Sequence, residues 1–293
     1  MWTRRLPVIA LSIIAFLLTA SPAKPSPVPG SPSATTRSLD AELVQVAAKG
    51  DTAAVEQLLQ KGASVDAIVN TEGSVVYTGS RTTALIAAAK EGYVEVVKLL
   101  LKRGADIEKR GNGPSALSIA AEHGRADVVR LLLEKDAKLG DNCLFTAVEG
   151  HNAEIVKLFL AKGANIEARD SNDSTPLSVA AGLGNLVRCP SADDPHRRPN
   201  CNNNGGACCS GGPEVVQLLL NKGANVEARN NGGATPLLMA AYFGHVEVVK
   251  RLLAKGANIK AKDNKGNTAL ALALGYGHAE VAKLLRDRGA PIQ

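Results

Sequence analysis

Aromatic residues are scarce in this chain, since Phe, Tyr and Trp together make up only 3% of its 293 residues. Hydrophobic residues of all kinds nevertheless reach 45%, which excludes a wholly disordered chain. A mean hydropathy of −0.01 excludes a polytopic membrane protein. Packing must therefore depend on Ala, Val and Leu, and this favours thin layers of short helices over a core of large rings.

The sequence also lacks the motifs that carry common enzyme chemistry. We find no HExxH zinc motif, no GxSxG nucleophile turn, no phosphate-binding glycine loop and no CxxC redox pair. The formal net charge is +6, and the Lys and Arg residues are scattered rather than gathered in a basic stripe. We therefore predict no catalysis, no metal, no cofactor and no nucleic-acid partner.

A single apolar run, residues 6–20, follows a basic Arg-Arg pair and precedes small residues up to Ala23. This order is typical of a secretory signal peptide, and the run is short against the ~20 residues that span a bilayer. We predict a signal peptide over residues 1–23, export to the periplasm or the extracellular space, and no stable membrane insertion after cleavage. An uncleaved signal anchor is the alternative. Residues 24–37, rich in Pro and Ser, are predicted to form an extended linker.

The remainder of the chain repeats one sequence motif. Its regular copies contain an Ala-Ala pair, a glycine, a stripe of Val and Leu, and a Gly-Ala pair. The glycine that follows the first predicted helix of each unit recurs at a spacing near 33 residues, with one shortened and two enlarged copies. These glycines are Gly50, Gly92, Gly124, Gly150, Gly184, Gly244 and Gly277. A small unit of this kind cannot bury its apolar face alone, so the pattern predicts a stack of repeats.

Each unit is predicted to contain two short helices. In one copy Thr235 is a good N-cap, and Pro236 follows at the first helical position, where no amide hydrogen is needed. Gly244 ends this helix, and residues 248–253 supply the apolar stripe of a second one. Gly256 suits the left-handed position after a helix C-terminus. The stretch that follows is rich in Asn, Asp and Gly, a composition typical of a turn or hairpin.

The pattern resembles the ankyrin repeat over residues 38–293. The matching motifs are the Thr-Pro-Leu sequences at 175–177 and 235–237, and the Gly-His pairs at 150–151, 244–245 and 277–278. The family's usual His after Thr-Pro-Leu is absent here. The resemblance implies an all-α repeat solenoid of about seven helix-turn-helix units with hairpin connectors. It also implies a concave surface, made of hairpins and first helices, that binds another protein, and we expect the chain itself to be a monomer.

The resemblance further indicates which side chains face the concave surface. The candidates for partner binding are Lys90, Glu91, Ile119, Glu122, His123, Met239, Tyr242, Phe243 and Tyr276, with Val148, Glu149, Val179, Leu183 and Leu272 at equivalent positions. Three of the candidates are aromatic residues of adjacent units, and exposed aromatic side chains are typical of binding hot spots. The alternative is that these three rings pack between neighbouring first helices.

Three units depart from the regular length. The connector at residues 68–77 is longer than usual, and its β-branched residues indicate a hairpin extension that either reaches a partner or shields the first unit. A deletion over residues 137–142 bends the solenoid, leaves a notch or is simply a tolerated loop deletion. Next to it, Cys143 is predicted to be a buried thiol in the place of a core Leu. A third departure is a long insertion at residues 187–213.

The insertion contains four of the five cysteines and almost no apolar residues. In an exported chain such a segment is expected to depend on disulfides. Because adjacent cysteines rarely bond to each other, the possible pairings are Cys189–Cys208 with Cys201–Cys209, or Cys189–Cys209 with Cys201–Cys208. A zinc site formed with His196 is the alternative. The sequence thus predicts an exported, non-enzymatic module that binds a protein. A solenoid that displays a Cys-rich metal-binding or redox loop is the alternative function.

Overall fold

The computed structural model describes residues 34–70, 81–140, 142–183 and 211–291. These ranges contain seven pairs of short α-helices and one two-stranded sheet. The helices are α1 (Ala34–Ala47), α2 (Thr52–Gln60), α3 (Ala84–Glu91), α4 (Val94–Lys102), α5 (Ala116–Glu122), α6 (Ala126–Glu134), α7 (Cys143–Glu149), α8 (Ala153–Ala161), α9 (Pro176–Leu183), α10 (Gly211–Asn221), α11 (Pro236–Tyr242), α12 (Val246–Ala254), α13 (Ala269–Gly275) and α14 (Ala279–Asp287). The strands are β1 (Val69–Asn70) and β2 (Arg81–Thr82).

The helices form two layers that run the length of the described chain. The first helices of the units pack on one another in the order α1, α3, α5, α7, α9, α11, α13, and the second helices follow the same order beside them. Each pair therefore contacts the pair before it and the pair after it, as stacked repeats require. The predicted all-α repeat solenoid is confirmed.

Small residues make the core, as the scarcity of aromatic residues predicts. Ala88, Ala120 and Ala240 of the first helices are 0% exposed, so neighbouring helices approach closely. The second helices contribute Val and Leu, and in α12 the side chains of Val249 and Leu252 are also 0% exposed. Burial of one such Val or Leu side chain contributes about 1.5–3 kcal/mol. Stability is consequently spread over many similar layers rather than concentrated in one centre.

The helix N-termini follow the predicted capping. The Thr235 hydroxyl accepts a hydrogen bond from the Leu238 amide, and Pro236 begins α11. Where the family usually carries His, two units carry Ser. The Ser118 hydroxyl lies 3.1 Å from that of the capping Ser115, and the corresponding pair in α9 is bonded in the same way. A serine thus partly replaces the missing imidazole at these turns.

The fourth unit follows a register one residue later than the sequence pattern indicates. Gly150 has φ −73°, and the left-handed residue is His151 with φ 49°. The buried Leu144 precedes His151 by the spacing that separates leucine and turn glycine in the other units. The predicted match of Gly150 and His151 to a Gly-His turn is therefore wrong. His151 takes the place of the glycine, and Asn152 takes the place of the histidine.

The same shift corrects the placement of Cys143. Cys143 is the first residue of α7, the position that Pro176 occupies in α9, and Leu144 takes the leucine position. The prediction that Cys143 replaces a core Leu is therefore wrong by one residue. The predicted burial of its thiol is confirmed, because Cys143 is 2% exposed and is a free cysteine within the described part of the chain.

The connectors between units are held together by a ladder of carboxylates. Glu108, Glu167 and Glu227 each accept a hydrogen bond from a backbone amide of the next unit, at 2.7–2.8 Å. At the long first connector, β1 and β2 pair antiparallel with Val69 opposite Thr82. This pairing confirms a hairpin base where the sequence predicts a hairpin extension. These three carboxylates thus fix the positions of the connectors that they join.

Several predictions fall wholly or partly outside the described residues. These are the signal peptide at residues 1–23, most of the linker at 24–37, the tip of the first connector and the insertion at 187–213. Helix α1 begins at Ala34, before the predicted boundary at residue 38, and α10 begins at Gly211. In the ranges that are described, every helix is too short or too polar to cross a bilayer.

Candidate functional site

A groove of about 610 Å³ lies at the N-terminal end of the stack and is called here the N-terminal groove. It is open between the first helices α1, α3 and α5 on one side and the base of the hairpin on the other. Its lining residues are Ala41, Val44, Gln45, Ala48, Val69, Asn70, Arg81, Thr82, Ile86, Ala87, Lys90, Glu91, Gly113, Pro114, Ile119, Glu122 and His123. Five predicted candidates, namely Lys90, Glu91, Ile119, Glu122 and His123, therefore meet in one depression.

The floor of the N-terminal groove is apolar and its wall is a strand. Ile86 and Val44 are buried, and Ile119 is half-buried beside them. The wall is β2, whose Arg81 amide donates a hydrogen bond of 2.7 Å to the Asn112 side-chain oxygen of the next connector. Sequence reasoning missed Arg81 and Thr82, although the β-branched residues of the long connector could have indicated that a strand borders the groove.

Charged side chains form the rim of the groove. Lys90 and Glu122 are exposed, and within the described residues neither makes an ion pair. The backbone below them is fixed, because Arg125 donates a hydrogen bond of 2.9 Å to the Lys90 carbonyl. The His123 ring nitrogen lies 3.1 Å from the Ile119 carbonyl at the end of α5. A partner thus meets charges of both signs above an apolar floor.

A second surface, called here the aromatic patch, consists of Tyr242, Phe243 and Tyr276 toward the C-terminal end. The Tyr242 ring centroid lies 4.8 Å from that of Phe243 and 4.2 Å from that of Tyr276. Tyr242 is half-buried, whereas Phe243 is 38% exposed and Tyr276 is 56% exposed. A hydrogen bond with Tyr276 raises the pKa of Tyr242, and the nearby charge of Lys265 opposes that increase.

The packing and the exposure of these rings differ from one member of the patch to the next. Phe243 and the half-buried Met239 lie over Gly182 of the preceding unit, where an added Cβ would come within 3.4 Å of the Phe243 ring and 3.2 Å of the Met239 methyl carbon. Tyr242 is half-buried and contacts both of the other rings, whereas the packing alternative expects all three rings to be covered. Tyr276 presents most of its surface to solvent, as a binding hot spot requires.

Histidines in the turns hold the backbone beneath the patch. His278 donates from Nε2 to the Tyr242 carbonyl at 2.8 Å, and His245 donates in the same way to the Gly182 carbonyl at 3.0 Å. Burial lowers the pKa of His245 below its ordinary value of 6.5, a change that the Gly182 hydrogen bond opposes and the His278 charge reinforces. These imidazoles link one unit to the next, which is the structural role that their repeat spacing predicts.

One equivalent position was misplaced by the register shift in the fourth unit. Val148 is 0% exposed, so the expectation that it faces the groove is wrong. The residues that precede the left-handed residue there are Glu149 and Gly150. The shortened connector of this unit leaves a cavity of about 470 Å³ lined partly by Leu139, Leu144 and Arg169. The notch that the sequence allows is therefore present.

A metal site would require a cluster of ligands among the described residues. They contain no group of three or more His, Cys, Asp or Glu that could hold a metal ion. The Cys143 sulfur lies 3.7 Å from the Ser118 hydroxyl and is buried. The disulfide candidates Cys189, Cys201, Cys208 and Cys209 lie outside the described residues, so both pairings and the zinc alternative with His196 stay predictions.

Comparison with known families agrees with this geometry. A family model described as "Ankyrin repeats (3 copies)" matches residues 43–142 and 206–293. A second model, described as "Ankyrin repeat", matches residues 139–171. Together these matches cover residues 43–171 and 206–293, and they leave the N-terminal segment, helix α9 and most of the insertion unmatched.

Individual relatives share the repeats. The human "Ankyrin repeat and KH domain-containing protein 1" is 33% identical over 159 residues, which is 54% of this chain and 4% of that protein. The human "Ankyrin repeat and SOCS box protein 3" is 37% identical over 175 residues, 48% of this chain and 34% of that protein. The chain thus spans about a third or less of these relatives. A crystal structure of the human ASB11 ankyrin repeat domain has a TM-score of 0.66, is 27% identical, and covers 86% of this chain and 99% of that chain.

Proposed function

Because the chain belongs to the ankyrin-repeat family, we propose that it is an exported protein whose concave surface binds another protein and catalyses no reaction. Ankyrin repeats generally act as protein-binding scaffolds, and fold alone does not specify the partner. The observation that carries the proposal is the N-terminal groove, since five side chains chosen from the repeat pattern line one depression of about 610 Å³.

The groove is suited to a protein segment rather than to a small reactive substrate. Its floor is apolar and its rim offers charges of both signs, an arrangement typical of protein interfaces with a polar rim. These features favour binding over acid–base catalysis.

The test compares two double variants with the same change in charge. Lys90→Ala/Glu122→Ala removes one charge of each sign from the rim of the groove. Lys157→Ala/Glu214→Ala removes one exposed cation and one exposed anion from the second helices, on the opposite layer. Proteins retained by the immobilised wild-type chain are identified by mass spectrometry, and the strongest is purified and titrated by calorimetry.

We expect the groove variant to bind that protein at least about tenfold more weakly, and the control variant to bind it as the wild type does. Equal loss in both variants, or no loss in either, would remove the N-terminal groove from the proposal. Circular dichroism melting of both variants shows that each is folded, because all four positions lie on the surface. Turnover of a substrate by the purified chain would contradict the non-catalytic part.

Export rests on the sequence of residues 1–37, of which the structure describes little. Its test is the N-terminus of the protein recovered from an expressing cell. Mass spectrometry should find a chain that begins at Lys24, in the periplasmic or extracellular fraction. A chain that keeps Met1 and stays with the cell would refute export.

Thiol titration and metal analysis of the same material distinguish two disulfides in the insertion from zinc or free thiols.

A further inference from the structure

The aromatic patch has solvent-exposed surface that a ligand could cover, and the chemistry of the patch indicates which class of ligand fits it. Tyr276 is 56% exposed and Phe243 is 38% exposed, so two rings are open to contact. The ammonium group of Lys265 is close enough to influence the Tyr242 hydroxyl. The surface therefore offers ring faces together with hydrogen-bond donors, and a ligand should present apolar groups together with free acceptors.

A proline-rich segment has this chemistry. Proline has no backbone N–H, so rings can cover it without leaving a buried donor unpaired. In the polyproline II conformation no carbonyl is bonded within the segment, so each can accept from an ammonium or a tyrosine hydroxyl. Aromatic surfaces that bind proline-rich segments are a recurring mode of peptide recognition.

This chain carries such a segment itself. Residues 24–33 contain four prolines, Pro25, Pro27, Pro29 and Pro32, with no acidic residue. The segment directly precedes α1, which begins at Ala34, and it lies outside the described residues. It would be the first part of the chain once the predicted signal peptide is removed.

The segment is too short to reach the aromatic patch of its own chain. Five helix-to-helix steps separate α1 from α11 along the stack, and at 8–10 Å for each step the distance is about 40–50 Å. Nine residues, from Pro25 to Ser33, extend about 28 Å in a polyproline II conformation. Contact between the two must therefore be made by different molecules.

We propose that the aromatic patch of one molecule binds residues 24–33 of a second copy, in a head-to-tail contact. Such a contact is heterologous, because the two molecules contribute different surfaces. It is also small, and small interfaces are weak. At low protein concentration the chain should therefore be the monomer that the sequence predicts. The inference rests on the proposed use of the concave surface for binding, which it extends with a named ligand.

The test titrates the chain that begins at Lys24 into a trace of fluorescent peptide with the sequence of residues 24–33. A second peptide, in which the four prolines are alanines, is the matched control. We expect the fluorescence anisotropy of the proline peptide to rise as the chain is added. The alanine peptide should bind at least about tenfold more weakly. Tyr276→Ala should weaken the binding of the proline peptide to the same extent. Tyr93→Ala changes an exposed tyrosine outside the patch and should leave that binding unchanged.

Sedimentation velocity supplies the second readout. The chain should associate as its concentration rises, and both Tyr276→Ala and deletion of residues 24–33 should abolish that association. Equal binding of both peptides, binding that survives Tyr276→Ala, or association that survives the deletion would overturn the inference. None of these outcomes involves Lys90 or Glu122, so failure here is distinct from failure of the N-terminal groove.

Discussion

A paired glycine substitution tests the register of the fourth unit. Gly244 has φ +79°, and a Cβ added there would lie 2.4 Å from the His278 ring. Alanine in the left-handed region costs about 1–2 kcal/mol, and displacement of His278 removes a hydrogen bond of about 0.5–1.5 kcal/mol. The smaller entropy of the unfolded chain returns about 0.4–1 kcal/mol. We expect Gly244→Ala to lower the free energy of unfolding by about 2 kcal/mol.

Gly150→Ala is the matched control, because the sequence pattern treats Gly150 and Gly244 as equivalent. Gly150 has φ −73°, which alanine adopts without strain, and its nearest neighbour would be the Thr146 carbonyl oxygen at 3.3 Å. The entropy gain and this tight contact nearly cancel, so the change should stay within about 1 kcal/mol. Urea unfolding followed by far-ultraviolet circular dichroism measures both variants. Equal destabilisation of the two would show that Gly150, and not His151, is the turn residue.

Three further predictions concern pH, the core and the carboxylate ladder. Because folding lowers the pKa of His245 below 6.5, the contribution of His245 to stability is complete above that pH and is lost as the pH falls through the folded-state pKa. Urea unfolding from about pH 7.5 to about pH 5 should show this loss of stability, and His245→Gln should reduce the loss. Phe159 is 0% exposed, so Phe159→Ala should lower the free energy of unfolding by about 3–5 kcal/mol. Most other units carry Leu at this position, and Phe159→Leu should lower it by under about 1.5 kcal/mol. Calorimetric melting distinguishes the two variants. Glu227→Ala should cost about 1–3 kcal/mol and should speed hydrogen exchange at the Asn258 amide, which donates to Glu227 at 2.7 Å; unchanged exchange would exclude this role.

The fold was predictable because each unit repeats the same local signals. Thr235 and Pro236 start a helix for reasons contained in their own chemistry, and residues 248–253 show their buried face by periodicity alone. Repetition then multiplies the signal, so one weak unit matters little. The fourth unit shows the limit of this reasoning. There the pair Gly150 and His151 copies a family motif, yet the helix is anchored by the burial of Leu144, and burial decides the register.

Part of the lining of the N-terminal groove was predictable from the repeat pattern, but the shape of the groove was not. The repeat pattern selects Lys90 and Glu122 because each lies before a turn, and both are exposed on the rim of the N-terminal groove. The repeat spacing does not locate the strand that borders the groove, since the pairing of Val69 with Thr82 joins residues on either side of a long connector. The unequal exposure of the three aromatic rings was likewise not readable from spacing.

The sequence by itself determined the number of units, the two helices in each and the residues that cap them, because these depend on local propensity and a period repeated along the chain. Only the tertiary structure decided which side chains share a groove, which ring is enclosed and which is open, and where the fourth turn lies. These features depend on distances between neighbouring units, and such distances are set by packing between layers rather than by the order of residues within one layer.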